Sequence, residues 1–173
     1  SEIQKLKPDI LGIGVYIWNR SQSFELIERL QKQNPNLKIV IGGPEVSFEI
    51  ETSVDCPIIS GEGEKKWLEY LQIIDQGEVP SKEMLDRWKT YGSDLPDLKP
   101  AYLKEDYPQL KNRIVYFETS RGCPYLCSFC LSALDKTVRY FDDEIIFNQI
   151  ENLINAGVKK FKFVDRTFNL KPG

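Results

Sequence analysis

The chain has 173 residues, 23 of them basic and 26 acidic, for a net charge of −3, and it contains no histidine. Without His, neither a Ser-His-Asp triad nor a His-ligated metal can be built from these residues, and no Lys/Arg stripe suited to a nucleic-acid backbone is present. The longest apolar runs are strand-sized, far short of the roughly 20 residues that cross a bilayer.

In chain order, residues 1–75 alternate strand-like and helix-like segments, the α/β pattern. Ile10-Leu11-Gly12-Ile13-Gly14-Val15-Tyr16 is a near-continuous apolar run, as buried parallel strands are. Asn19 to Ser23 supplies N-cap residues; Phe24, Ile27 and Leu30, with Leu26 beside them, then recur at helical spacing until Asn34-Pro35-Asn36. Leu37-Lys38-Ile39-Val40-Ile41 reads as the next strand, followed by Gly42-Gly43-Pro44-Glu45. Pro57-Ile58-Ile59 reads as a third, short strand leading into Gly61-Glu62-Gly63-Glu64, and a closing helix carries Trp67, Leu68, Leu71 and Ile74 on one face. Glu45, Glu62 and Glu64 are open to two readings, ligands or acids at helix N-termini. Residues 76–112 contain Pro80, Pro96, Pro100 and Pro108 and read as an interdomain connection with one short helix near Glu83–Thr90. Their aromatics, Trp88, Tyr91, Tyr102 and Tyr107 among them, imply packing on something and not a free tether.

From residue 113 the pattern resumes. Ile114-Val115-Tyr116-Phe117-Glu118-Thr119 is β-branched and aromatic, of strand type. It runs straight into Ser120-Arg121-Gly122-Cys123-Pro124-Tyr125-Leu126-Cys127-Ser128-Phe129-Cys130, a C-x3-C-x2-C triplet. Asp142 then reads as an N-cap, Asp143 and Glu144 suit the first-turn dipole, Ile146, Ile150, Leu153 and Ile154 form a stripe, and Gly157 ends the helix. Phe161-Lys162-Phe163-Val164 is the following strand, which completes a βαβ unit.

Three thiolates in one loop are soft ligands for iron or zinc. A structural zinc site closes with a fourth Cys or His, whereas an iron–sulfur cubane held by three cysteines leaves one iron open to a small molecule. Cys56 stands far upstream among Val54, Pro57, Ile58 and Ile59 and reads as a small buried hydrophobe. Dense cysteines in one loop read as metal ligands in a reducing cytosol, so a cytoplasmic location is expected.

The triplet, with Phe129 before its last cysteine, a strand before it and Arg121-Gly122-Cys123 at the junction, resembles the radical S-adenosylmethionine (SAM) superfamily. The upstream segment, with Lys7-Pro8-Asp9 before the first apolar run and Gly42-Gly43 after the second, resembles the cobalamin-binding domain. The two in this order, with Tyr16-Ile17-Trp18-Asn19 and Phe163-Val164-Asp165-Arg166-Thr167-Phe168-Asn169, look like an uncharacterised branch of the cobalamin-dependent radical-SAM proteins.

The resemblance implies an α/β chain: a partial Rossmann-like cobalamin-binding domain (1–75), a linker (76–112) and the first βαβ unit of a partial (β/α) barrel (113–173). The start at Ser1 and the stop at Lys171-Pro172-Gly173 lead us to expect a piece of a longer protein, inactive alone, whose raw sheet edges could pair two copies. By resemblance Cys123, Cys127 and Cys130 would hold a 4Fe-4S cluster, Phe129 would lie beside the adenine of SAM, and Asp165 would stand where the family contacts the SAM amino group. The other reading of Asp165 is a partner for Arg166 or a turn cap, and Arg121 and Arg139 are read as neutralising the loop or the SAM carboxylate, or as surface residues.

Gly14, Val15, Tyr16, Gly42, Gly43, Pro44, Gly61 and Gly63 would line the cobalamin site, because ligands of open parallel sheets lie across the carboxyl ends of the strands and a flat corrin approaches closely where no Cβ intervenes. Two departures stand out. The family's cobalt-ligating His belongs to a loop that would fall in the missing N-terminal part, and the Ser that many members carry on the strand is Gly14. In the family the cluster donates an electron that cleaves SAM to methionine and a 5′-deoxyadenosyl radical. The implied function is therefore cobalamin-dependent radical methyl transfer to a small-molecule or peptide substrate, with a reductase or flavodoxin as electron donor. The alternatives are a radical-SAM oxidoreductase or ring-forming enzyme without methyl transfer, and a non-enzymatic zinc- or cluster-binding module.

Overall fold

A computed structural model describes residues 2–48, 52–92, 97–99, 101–134 and 137–170; Ser1, Pro96, Pro100 and residues 171–173 lie outside this set. The chain divides into two compact units, residues 1–96 and 97–173.

In the first unit the apolar runs become parallel strands. Helix α1 (Glu2–Leu6) leads to β1 (Ile10–Gly14), α2 (Arg20–Gln33), β2 (Lys38–Gly42), α3 (Pro44–Ser47), β3 (Ile58–Ile59), α4 (Glu64–Asp75) and α5 (Lys82–Lys89). The sheet order is β1-β2-β3, with Ile10 opposite Lys38, Gly14 opposite Gly42, and Gly42 opposite Ile59. Side chains alternate across the sheet. Ile39, Ile41 and Ile58 face one layer with Ile27 and Leu30 of α2, while Val40 and Ile59 face the other with Tyr70 of α4 and Trp88 of α5. Burial on both faces is why β2 reads as an unbroken apolar run. Burying a side chain such as Ile27 completely is worth about 2 kcal/mol.

The face of α4 differs from the expected one. Trp67, Leu71 and Ile74 do pack inward, joined by Tyr70 and Ile73, but Leu68 is 56% exposed. Successive helical residues are 100° apart, so Leu68 is rotated off the stripe that 67, 70, 71 and 74 define. Helix α5 forms where one was expected, and its Ser81 cap accepts a hydrogen bond from the Met84 N–H at 3.3 Å. Trp88 is fully buried in the first unit's core, so residues 76–92 belong to that unit and the stretch 76–112 does not act throughout as a connection.

The second unit opens with a 3-10 turn (Lys104–Asp106) and α6 (Tyr107–Leu110). It continues with β4 (Ile114–Phe117), β5 (Ser120–Arg121), a 3-10 turn (Leu131–Leu134), β6 (Arg139–Tyr140), α7 (Asp143–Asn155) and β7 (Lys160–Phe163). Strands β4 and β7 pair in parallel, Ile114 opposite Lys160 and Phe117 opposite Phe163, and Val115, Phe117, Phe141, Ile146, Leu153 and Val158 form the core. Asp142 caps α7 as expected, accepting from the Ile145 N–H at 3.1 Å. The buried stripe of α7 is Ile146, Gln149 and Leu153, and Ile154 is 53% exposed. Gln149 sits inside with its Nε2 donating to the Tyr102 carbonyl at 2.8 Å, while its Oε1 is buried without a hydrogen-bond partner among the described residues.

Candidate functional site

The cysteine loop sits between β4 and α7, and the short antiparallel ladder of β5 and β6 closes its base, Arg121 opposite Arg139. Gly122 has φ +98°, and a Cβ there would overlap the carbonyl oxygen of Thr137. Only glycine lets the outgoing and returning backbones meet this closely. Beyond that pinch, Cys123 and Cys130 are half-buried and Cys127 is exposed. The loop turns on two backbone bonds, Cys130 N–H to the Cys127 carbonyl and Ala133 N–H to the Cys130 carbonyl, both 3.0 Å. The neighbouring Ser132 holds the Cys130 thiol below its ordinary value; burial opposes this and the charge of Arg166 adds to it. A lowered thiol pKa favours the thiolate that binds metal.

Among the described residues, no three Cys, Asp or Glu side chains converge on a point where one metal ion could sit. A cubane takes each thiolate on a separate iron corner, so its ligands stand farther apart than those of one ion. Three soft donors on an accessible loop, one of them biased toward thiolate, fit such a cluster.

The other residues expected at this site fall into distinct places. Phe129 is 92% exposed, and Tyr125 and Leu126 beside it are exposed as well, so the loop presents an apolar surface. Asp165, just past β7, reaches back to the start of the loop. Its Oδ1 accepts from the Thr119 N–H (3.0 Å), the Thr119 hydroxyl (2.5 Å) and the Ser120 hydroxyl (2.9 Å), and its Oδ2 accepts from the Thr119 N–H at 3.2 Å. Arg121 donates from Nε to Glu118 at 2.8 Å. Thr167, not anticipated from the sequence, brings its hydroxyl to 3.2 Å from the Cys123 sulfur.

In the first unit, parallel β1, β2 and β3 bring Gly14-Val15-Tyr16, Gly42-Gly43-Pro44 and Gly61-Glu62-Gly63 to one edge, the carboxyl ends of the strands. The reason for glycine at position 43 differs from the expected one. Gly43 has φ +99°, and a Cβ there would stand 2.6 Å from the Val15 carbonyl oxygen and 2.9 Å from its nitrogen. The neighbouring strand end, before any ligand, forbids a side chain. Val15 is fully buried, its N–H bonded to the Gly42 carbonyl (2.7 Å) and its carbonyl to the Glu45 N–H (3.3 Å), so it supports this edge and does not line it. Glu45 and Glu64 lie in the first turns of α3 and α4, in agreement with the helix-terminal reading.

Three features of this edge escaped the sequence reading. Asn19 ties the loop after β1 to itself, accepting from the Tyr16 N–H at 2.7 Å and donating to the Gly14 carbonyl at 3.0 Å. The loop so held stacks Tyr16 on Trp18, ring centroids 4.7 Å apart and planes 9° off parallel, with Ile17 and Trp18 mostly exposed. The available signal was three large apolar residues in a row after a strand that had already ended. Lys66 is completely buried, its Nζ donating to the carbonyls of Ser60 (3.0 Å), Trp88 (3.2 Å) and Thr90 (3.0 Å). It thereby fastens the segment after β3 to the end of α5. No helix among the described residues is long and apolar enough to cross a membrane.

Residues 1–69 match the family model described as B12 binding domain. The chain is 28% identical, over 96% of its length, to a cobalamin-dependent radical SAM methyltransferase of Streptomyces tokunonensis, of which it covers 28%. It is 28% identical over 97% of its length to an uncharacterized methyltransferase of Pyrococcus horikoshii, of which it covers 42%. It is 25% identical over 88% of its length to an anaerobic magnesium-protoporphyrin IX monomethyl ester cyclase of Rubrivivax gelatinosus, covering 32% of that protein. The chain thus spans well under half the length of these relatives. The resemblance to cobalamin-binding radical-SAM proteins is borne out.

Proposed function

We propose that this chain, a B12-binding α/β unit followed by a three-cysteine loop, forms part of a cobalamin-dependent radical-SAM methyltransferase. The observation that carries the proposal is the position of the C-x3-C-x2-C loop, at the carboxyl end of one strand of a parallel pair. Barrel active sites occupy that end of their strands, and the unit β4-α7-β7 is read as the opening of such a barrel. Cys123, Cys127 and Cys130 hold a 4Fe-4S cluster, whose chemistry when present is one-electron reduction of SAM. Phe129 offers its backbone and exposed ring to the adenine. Asp165 keeps the start of the loop fixed and has Oδ2, the less engaged oxygen, directed to the SAM amino group.

At the edge of the first unit, Gly14, Tyr16, Gly42, Gly43, Pro44, Gly61 and Gly63 form a floor for a corrin, with Val15 buttressing it from below. The stacked Tyr16 and Trp18 extend that floor with flat apolar area. Cobalamin, when bound, supplies a methyl group for transfer. The substrate is a small molecule or peptide, the electrons come from a flavodoxin-type donor, and the setting is the reducing cytoplasm. Anaerobic assay of the longer protein that contains this chain with SAM, with and without cobalamin, tests this reading. Methylated product only with cobalamin is expected; product formation unaffected by leaving cobalamin out overturns methyl transfer. The similarity to a cyclase favours a second reading, radical ring formation that uses cobalamin without methyl transfer, which a cobalamin-dependent but unmethylated product would reveal.

A further inference from the structure

The two chain segments that leave the β4–β7 pair run on together. Val164 N–H donates to the Phe117 carbonyl at 2.9 Å, one step beyond the last paired residues. Asp165 then binds Thr119 and Ser120, and Thr167 meets Cys123, a partner 44 positions away in sequence. Both contacts fall on the half-buried side of the loop, where water competes less for the hydrogen bonds. We propose that the segment after β7 is a clasp on the cysteine loop, in which Thr167 is a positioning residue whose hydroxyl donates to the Cys123 sulfur and raises the reduction potential of the cluster held there. The inference rests on the cluster reading given above.

The direction of the bond follows from chemistry. A cysteine that ligates iron is a thiolate and has no S–H, so between these two atoms only the Thr167 hydroxyl can donate. Reduction adds negative charge that spreads onto the sulfurs. A donor aimed at one of them therefore stabilises the reduced cluster more than the oxidised one, and hydrogen bonds to sulfur are among the determinants of cluster potential. Asp165 serves the same clasp at its other end. Its carboxylate orders the backbone of Thr119 immediately before the pinch at Gly122, and so fixes where Cys123 emerges.

The test compares wild type, Thr167→Val and Thr167→Ser, each reconstituted anaerobically with iron and sulfide. Iron per protein and the midpoint from an EPR-monitored redox titration are measured for each. The expected result is a more negative midpoint in Thr167→Val at unchanged iron content, with Thr167→Ser restored to wild type. Loss of iron in Thr167→Val with full loading of Thr167→Ser also supports the clasp, since the two differ in the hydroxyl. A Thr167→Val protein with wild-type iron and midpoint overturns the proposal, as does equal failure of both variants. Failure of the wild type itself to bind iron overturns the cluster reading first and the clasp with it, whereas failure confined to the variants touches the clasp alone.

Discussion

Gly122 and Cys56 show at the level of single residues how sequence type and environment divide the work. Gly122 is wedged against the Thr137 backbone at φ +98°, so Gly122→Ala meets both a left-handed backbone penalty of about 1–2 kcal/mol and a steric overlap that the ladder of β5 and β6 must open to relieve. We expect it to abolish stable iron loading while leaving the first unit's secondary structure intact, as read by iron content and circular dichroism. Cys56 was legible as a buried hydrophobe, and burial, with the nearby charge of Asp55, pushes its thiol up to about 11. In the native, metal-free protein at pH 8, Cys123, Cys127 and Cys130 should be alkylated and Cys56 spared until the chain unfolds, as mass spectrometry of the labelled peptides would show. The native thiol keeps its proton where the unfolded one loses it, so this residue's contribution to stability is present below about pH 9 and declines as pH rises toward 11. Thr167 and Asn19 could not be read in advance, because each acquires its role from a backbone or sulfur atom that only the folded chain brings near.

At the level of elements, strands and helices follow apolar period closely, and the misjudged faces are those where a polar side chain is buried with partners. Ile154 was expected inside α7, yet Gln149 takes the inner position through its bond to the Tyr102 carbonyl. Lys66 is the sharper case. A lysine beside another lysine in the first turns of a helix reads as a solvated face, and nothing in the local pattern marks the three carbonyls it meets. Replacing it by Met, similar in length but without donors, would leave the Ser60, Trp88 and Thr90 carbonyls short of their shared ammonium. A loss of about 3 kcal/mol is expected, given roughly 1–3 kcal/mol for a buried polar group left unsatisfied. Urea unfolding would show it as a lower midpoint, and an unchanged midpoint would mean that water replaces the ammonium. The clamp joining Glu69 to Arg87 and to the Trp88 Nε1–H at 2.8 Å works alongside it. Burial pushes the Glu69 carboxyl up, but hydrogen bonds from Arg87 and Trp88, with the charges of Arg87 and Lys65, outweigh it and hold the group below its usual range.

For the whole molecule, the α/β character, the parallel strands and the cysteine loop were legible because each rests on local spacing. The partition at residues 96 and 97 was not, since prolines announce turns without saying which core the intervening Trp88 will join. The match of residues 1–69 to the B12 binding domain lies within the first unit, and the similarity to a cobalamin-dependent radical SAM methyltransferase runs along nearly the full chain. The central claim concerns what the three thiols hold, and anaerobic reconstitution with iron and sulfide, followed by EPR of the reduced protein before and after adding SAM, tests it most directly. The account predicts about four irons per chain, as a cubane requires, and a spectrum that changes when SAM binds the open iron. A protein that refuses iron, or that loads it and shows the same spectrum with SAM present, would contradict it.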